Sequence, residues 1–252
     1  MIILNRILEV ANNFKLFNYF ILMWVGCNRS ATFILRMKKN VSLILLSILV
    51  VFFYATKLWA EEYPWRERIN KDGISVSTRK VEASPILEFK ADVTVSAPIN
   101  QVIALFENEK RIPEWYYQCV QAELIRQETP EQKIFYFVLH LPWPVTERDS
   151  IFRRVRSLDA ASGVITYTAS ALADQLPQKK GKIRVPYIKT VWRFTPLADG
   201  KTEIYFQQHS DPGGSIPGFL ANALVVDIPF NCLKNFRSLL VEVSQAKCVD
   251  NY

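Results

Sequence analysis

The pattern of apolar and polar positions in the second half of the chain predicts one long amphipathic helix over residues 217–246. Apolar residues recur there at alternating steps of four and three, which places them along one face of a helix. Pro217 suits the first turn, whereas Pro229 lies in the interior, where the missing amide donor predicts a kink. The apolar face consists of Phe219, Ala223, Val226, Phe230, Leu233, Phe236, Leu240 and Val243.

Upstream of this helix, apolar and polar residues alternate in short runs, which is typical of β-strands. Turn-forming pairs such as Asp72-Gly73 and Asp199-Gly200 separate the runs and favour antiparallel connections. Two short helices are also predicted, over residues 63–70 and 98–106. The predicted strands are residues 74–78, 86–96, 120–127, 134–141, 150–158, 164–171, 188–195 and 202–209.

This order of elements predicts an α+β fold in which a curved antiparallel sheet wraps around the long C-terminal helix. A sheet and a helix arranged in this way enclose a space between them. Such a space is where an apolar ligand would bind.

The first 60 residues differ from the rest of the chain. Lys38 and Lys39 precede an apolar run over residues 41–54, and Ala60 closes a segment suited to cleavage. This is the order of a secretory signal peptide that starts at Met37. We therefore interpret residues 1–36 as an extension upstream of the natural start, residues 37–60 as the signal peptide and residues 61–252 as the ligand-binding domain.

The expected location follows from this interpretation. A cleaved signal peptide would deliver the protein to the periplasm or outside the cell. The alternative is an uncleaved N-terminal membrane anchor, although the apolar run is shorter than the roughly 20 residues that a transmembrane helix needs.

The net charge of +7 comes mainly from the same N-terminal segment. That segment holds seven of the 31 Lys and Arg residues but one of the 24 acidic residues, which leaves 24 basic against 23 acidic residues. Nucleic-acid binding requires a basic surface. We therefore expect no nucleic-acid partner.

Cysteine and histidine are too sparse to indicate a metal or cofactor site. The predicted mature chain keeps Cys119, Cys232 and Cys248. Cys232 lies on the predicted helix and Cys248 just past its end, and the helix between them would span about 24 Å, which is beyond the reach of a disulfide. We expect buried, unpaired thiols, with a bridge from Cys119 to either of the other two as the alternative. His140 and His209 each lie in a predicted strand, and no metal-binding or nucleophile motif accompanies them.

Short motifs are spread in order over nearly all of the predicted mature chain. They are Trp65, Asp72-Gly73-Ile74, Pro113-Glu114-Trp115, Pro142-Trp143-Pro144, Arg148-Asp149, Arg154, Trp192-Arg193-Phe194-Thr195-Pro196 and Asp211-Pro212-Gly213-Gly214-Ser215-Ile216-Pro217. In order and spacing they resemble the START-type lipid-transfer domains, which are related to steroidogenic acute regulatory protein. The resemblance implies the helix-grip fold and one lipid, sterol or other apolar molecule bound between the sheet and the C-terminal helix.

The strongest candidate for a polar contact with such a ligand is Arg154. Alternation along a strand places it on the same face as Arg148, Ser150 and Phe152. The resemblance implies that it points inward. In several family members an acidic residue on the preceding strand pairs with this arginine, but residues 134–140 contain no carboxylate.

An alternative orientation remains open, because Arg154 has two basic neighbours. In this alternative Arg154 faces solvent beside Arg153 and Arg156, since three basic residues in four are typical of an exposed edge. The other candidate ligand contacts are Arg148, Phe152, Phe137, Tyr167, Tyr205, Gln207, Phe219, Ala223, Val226 and Phe230.

The sequence therefore predicts a monomeric, non-enzymatic protein that binds and carries a lipid-like molecule. A basic loop over residues 178–182 adds the possibility of transient contact with anionic membrane lipids. One alternative is a polyketide cyclase or hydrolase of the same superfamily, which would need titratable groups that converge in the cavity. The other is an interaction module whose core is filled.

Overall fold

The computed structural model describes residues 63–82, 84–216 and 218–249. The predicted N-terminal extension and signal peptide lie outside these residues, as does the side chain of Cys248. No helix within the described part of the chain combines the length and apolar character needed to cross a bilayer.

Ten strands form one sheet in the order β1-β2-β3-β10-β9-β7-β6-β5-β4, with β8 added beside β6. The pairs are antiparallel, except that β8 runs parallel to β6. The strands are β1 Arg66–Lys71, β2 Ile74–Val81, β3 Ser84–Val95, β4 Cys119–Gln127, β5 Gln132–Leu139, β6 Arg148–Leu158, β7 Ile165–Ala171, β8 Ile183–Arg184, β9 Tyr187–Pro196 and β10 Thr202–Asp211.

Within the described residues, three α-helices accompany the sheet. They are α1 Ile99–Phe106, α2 Ile112–Trp115 and α3 Gly218–Val249, and a short 3₁₀ turn at Glu109–Arg111 precedes α2. Helix α3 packs against β2, β3 and α2. The predicted α+β helix-grip architecture is confirmed: one antiparallel sheet closes against one long C-terminal helix.

The prediction of a helix over residues 63–70 is wrong, because this segment forms β1. Asp72 and Gly73 both have positive φ, 56° and 70°, and they join β1 to β2 as a two-residue hairpin. Turns of this kind match the twist of paired strands. Apart from the half-buried Ile69, β1 is exposed, so its sequence has little apolar pattern by which to recognise a strand.

The core lies between the sheet and the second half of α3. Leu233 and Phe236 are almost fully buried there, and Leu240 is 4% exposed. Arg237 on the same helix donates to the backbone oxygen of Asp72 at 2.6 Å, which ties α3 to the β1–β2 hairpin. These contacts fix the rotation of the helix about its own axis.

A second, smaller apolar cluster covers part of the outer face of the sheet. Tyr136 and Ile151 belong to it, with Leu172 packed against them. Arg184, which is 6% exposed, makes two 2.9 Å hydrogen bonds to the Asp149 carboxylate. It also donates to the backbone oxygens of Ala173 at 2.7 Å and Pro177 at 3.2 Å, which ties the segment after β7 to β6. Strand β5 is therefore buried on both faces, which explains its unbroken apolar run.

Candidate functional site

A cavity of about 140 Å³ lies between the sheet and the first half of α3. Aromatic and aliphatic side chains make up most of its wall, which is the usual character of a site for an apolar ligand. The wall includes Phe89, Phe106, Trp115, Phe137, Leu139, Phe152, Tyr167, Trp192, Ala221, Leu224, Val225 and Ile228.

Strand β6 contributes both basic side chains of the described wall. Arg148, Ser150, Phe152 and Arg154 all line the cavity, on the single strand face that alternation predicts. Arg153 instead points to the outer face, where it donates to Glu128 at 2.8 Å. Arg154 therefore faces inward, although contact with a ligand stays a prediction.

Arg154 is held by aromatic rings. Its side chain is 8% exposed. The guanidinium carbon lies 4.4 Å from the ring centre of Phe135 and 5.3 Å from those of Phe106 and Tyr167. Burial lowers the pKa of Arg154, while Tyr167 and the nearby acids oppose the shift. Because an arginine side chain stays protonated in proteins, the site keeps a full positive charge.

The guanidinium of Arg154 makes no hydrogen bond or ion pair with any residue that the structure describes. The nearest acids already have other partners. Glu107 accepts a 2.5 Å hydrogen bond from the Tyr167 hydroxyl, and Glu109 pairs with the Lys133 ammonium at 2.7 Å. A buried charge without a partner is unfavourable. The donors of Arg154 therefore remain available for a group that enters the cavity.

Arg148 has a different role, because backbone oxygens occupy its guanidinium. It donates to Thr146 at 2.5 Å, to Pro212 at 3.3 Å and to Gly213 at 3.1 Å. These bonds join the β5–β6 loop to the loop that precedes α3. Burial lowers the pKa of Arg148. At 2% exposure it acts as a clamp for these loops at the end of the cavity.

Tyr205 and Gln207, which we expected in the cavity, lie on the outer face of the sheet. The Tyr205 hydroxyl donates to Gln207, and Gln207 donates to Glu88, both at 2.6 Å. The inward residues of β10 are Phe206, which stacks on Trp192 at 3.7 Å between ring centres, and Gln208, which lines the cavity. The expectation was wrong by one residue, which in a strand reverses the face.

The predicted helix contacts also differ from the structure. Phe219 is 80% exposed, and Ala223 is exposed as well. Val226 and Phe230 pack partly against the core but do not line the cavity. The predicted apolar face repeats every 3.5 residues, whereas an α-helix has 3.6 residues per turn, so the face drifts around the helix. Extending it from the buried second half of α3 into the first half therefore selects residues that do not face the cavity. Ala221, Leu224, Val225 and Ile228 face the cavity instead.

Phe137 and Tyr167 do lie in the wall, as expected from their strands. Sequence reasoning missed Trp115, whose indole nitrogen is buried without a hydrogen-bond partner among the described residues. It also missed the polar wall residues Thr190 and Gln208, which are linked by a 3.0 Å hydrogen bond. Both could have been found from an inward Trp192. Thr190 lies two residues before Trp192 on β9 and so shares its face, and Gln208 is the β10 partner of Thr190.

The residues with reactive side chains do not converge in the cavity. His140 contacts Glu147 at 3.2 Å in a loop, and His209 contacts Ser84 at 3.1 Å on the outer face. The described residues contain no group of three or more His, Cys, Asp or Glu side chains placed to hold a metal ion. Cys119 and Cys232 are buried and form no disulfide.

A concave antiparallel sheet that encloses an apolar cavity against one C-terminal helix defines the helix-grip class of proteins. Within that class the chain belongs to the START domain family, whose model matches residues 55–245. This finding confirms the resemblance that the motifs from Trp65 onward indicate.

Similar proteins agree with this assignment. A STAR-related lipid transfer protein from Xanthomonas axonopodis, solved as a fragment, is 36% identical over 70% of this chain and 98% of its own, with a TM-score of 0.65. An uncharacterized protein of Pseudomonas aeruginosa is 34% identical over 188 residues, which are 75% of this chain and 91% of the relative.

Mammalian relatives are more distant. Mouse phosphatidylcholine transfer protein is 31% identical over 105 residues, which are 40% of this chain and 48% of the mouse protein. Human StAR-related lipid transfer protein 5 shares the fold, with a TM-score of 0.66 over 81% of this chain and 99% of the human one, at 16% identity.

Proposed function

We propose that this START domain is an exported, non-enzymatic lipid-binding or lipid-transfer protein, which holds one ligand between the sheet and α3. The observation that carries the proposal is a cavity with an apolar wall and one buried, unpaired guanidinium, that of Arg154. Lipid-transfer relatives of the same family support it. Export rests on the signal-peptide pattern of residues 37–60, and the protein acts as a monomer.

Binding would be driven by removal of apolar surface from water. Each buried methylene contributes roughly 0.8 kcal/mol, so a single acyl chain supplies enough free energy for tight binding. The cavity of about 140 Å³ is similar in size to cavities that accept one benzene molecule. A lipid therefore requires the wall formed by Ala221, Leu224 and Ile228 to move outward when it enters.

An enzymatic function is less well supported. The described wall contains no histidine and no carboxylate, and its titratable side chains are Arg148, Arg154, Tyr116 and Tyr167. Burial raises the pKa of both tyrosines, which keeps their hydroxyls neutral. A cyclase or hydrolase needs a general acid or base that is poised near the working pH.

Contact with a membrane would take place at the end of the cavity that Arg148 clamps. Trp143 is 90% exposed in the β5–β6 loop, and Phe219 is 80% exposed in the first turn of α3. Lys179 and Lys180 are exposed in the neighbouring basic loop. Aromatic rings suit the interface of a bilayer, and lysines are attracted to anionic lipids. The proposal therefore includes transient contact with an anionic membrane at this end.

Displacement of a fluorescent fatty acid or sterol tests the binding function. We expect saturable binding of one probe molecule per protein, and competition by unlabelled lipid. Leu224→Trp, which fills the cavity, should abolish binding, whereas Ala223→Ser on the exposed side of α3 should leave it unchanged. Equal binding by the two variants, or no binding by the natural protein, would contradict the proposal.

A further inference from the structure

We propose that the ligand presents an anionic group, a carboxylate or a phosphate, to Arg154 inside the cavity. This inference rests on the proposed lipid-binding function and adds the charge class of the ligand. It predicts that an anionic lipid binds more tightly than a neutral lipid of the same chain length.

The described cavity wall carries positive charge that no acidic side chain in the wall matches. Arg148 and Arg154 line the cavity, and no acidic side chain in the described part of the chain does so. Backbone oxygens satisfy Arg148, whereas no described acceptor satisfies Arg154. The planar guanidinium offers paired donors that match two oxygens of a carboxylate or phosphate.

Two acidic residues lie near Arg154 but outside the cavity wall. Glu107 and Glu109 follow the end of α1 and favour the charged form of Arg154 through space. Their own hydrogen bonds go to Tyr167 and Lys133. They therefore lower the cost of burying the charge without occupying its donors. A neutral hydroxyl group in the cavity would leave the same charge uncompensated.

The surroundings of Arg154 disfavour a cationic head group. Phe106, Phe135 and Tyr167 surround this end of the cavity and would suit a quaternary ammonium. The Arg154 guanidinium already lies against all three rings, at 4.4 to 5.3 Å. A second cation could not pack on these rings, because Arg154 already occupies them, and it would also be repelled by the positive charge of Arg154. A phosphocholine head placed inward is therefore disfavoured.

The positions of the two arginines along β6 give the bound ligand a direction. Arg154 lies six residues beyond Arg148 along β6, which is about 20 Å of strand. Arg148 marks the end near Pro212 and Ile216, where the loop before α3 forms the wall. An anionic group at Arg154 therefore leaves its acyl chain extending toward Ile216 and Leu224. The polar end is deepest, and the apolar end faces the loops that would open.

The test compares oleate, oleyl phosphate and oleyl alcohol as competitors of a neutral, apolar naphthylamine dye. We expect each anion to bind about tenfold or more tightly than the alcohol, because a carboxylate or phosphate adds ionic attraction and a second acceptor oxygen that a hydroxyl lacks. The tighter of the two anions assigns the head group as carboxylate or phosphate. Arg154→Met should reduce the preference to about one, and Arg153→Met is the matched control that should retain it.

Three outcomes would overturn the inference. Equal binding of oleyl alcohol and the anions by the natural protein would overturn it. This outcome needs no variant, so it can be observed even if Arg154→Met fails to fold. Retention of the preference in folded Arg154→Met would show that another group selects the anion. Failure of every lipid to displace the dye would instead remove the proposed function and this inference together.

Discussion

Arg148 and Arg154 lie on the same face of β6 and line the same cavity, yet their guanidinium groups have opposite surroundings. Three backbone oxygens accept hydrogen bonds from Arg148, whereas Arg154 rests on aromatic rings without a described hydrogen-bond partner. One arginine thus holds loops together, and the other is available to a ligand.

This difference predicts opposite effects on stability. Arg148→Met should lower the free energy of unfolding by about 3 kcal/mol, since it removes three hydrogen bonds that each contribute roughly 1 kcal/mol. Arg154→Met removes an unpaired buried charge, so stability should stay the same or rise. Urea denaturation of both variants measures the contrast. Equal destabilisation would show that Arg154 has structural partners of its own.

The two halves of α3 should respond differently to added volume. Leu240 is 4% exposed in the core, so Leu240→Trp should destabilise by roughly 1–3 kcal/mol through overpacking. Leu224 faces the cavity, where added atoms occupy space that a ligand would fill, so Leu224→Trp should cost less. Thermal melts decide this. A larger loss for Leu224→Trp would mean that the first half of α3 is as closely packed as the second.

Much of this arrangement follows from the sequence, but not the two faces of every element. In β6, alternation groups Arg148 and Arg154 on one face, but the inward direction of that face was implied by the resemblance to START-type domains and not by the alternation. In β10, Tyr205 and Phe206 are both aromatic, so alternation alone cannot assign the inner one. Pairing with β9 settles it, since Phe206 stacks on Trp192. Such pairing is a long-range contact that a single strand does not reveal.

Short elements were hidden for a related reason. β1 is a mostly exposed edge strand that is stabilised by its hairpin with β2. Helix α2 has only four residues. Neither is long enough to establish an apolar period. In α3 the period was clear, but the rotation of the first half depends on contacts made by Leu233 and Leu240 in the second. The side that faces the cavity is therefore a tertiary property.

The exposed aromatic residues beside the Arg148 clamp should mediate membrane contact. Trp143→Ser and Phe219→Ser should each reduce co-sedimentation with vesicles that contain anionic lipid, because both side chains are almost fully exposed. Leu158→Ser is the matched control, since Leu158 is 54% exposed at the opposite end of β6. If the control reduced binding as much as the aromatic variants, a specific contact surface would be disproved.

The buried thiols should be inert in the folded protein. Burial raises the pKa of Cys119 from 9.0 to about 12 and also raises the pKa of Cys232. Since the thiolate is the reactive form, alkylation at pH 8 should be slow until the protein unfolds. A background with both Cys27→Ser and Cys248→Ser restricts the measurement to these two residues. Rapid alkylation without unfolding would mean that α3 opens readily.

The same pKa shifts give a pH dependence of stability. Above about pH 9 the unfolded state releases the thiol protons first, so it binds fewer protons than the folded state. Stability from these groups is therefore complete below pH 9 and decreases as the pH rises toward 12. Cys119→Ala should flatten this decrease in urea denaturation curves recorded between pH 8 and 10. An unchanged pH dependence would contradict burial of the Cys119 thiol.

The central claim, that the cavity between the sheet and α3 binds one lipid, is tested most directly by native mass spectrometry of the protein purified from its own host. We predict a single additional mass that corresponds to one lipid per protein molecule and that is lost in the cavity-filling variant Leu224→Trp. A spectrum with only the unliganded mass, or an additional mass that persists in Leu224→Trp, would contradict the account.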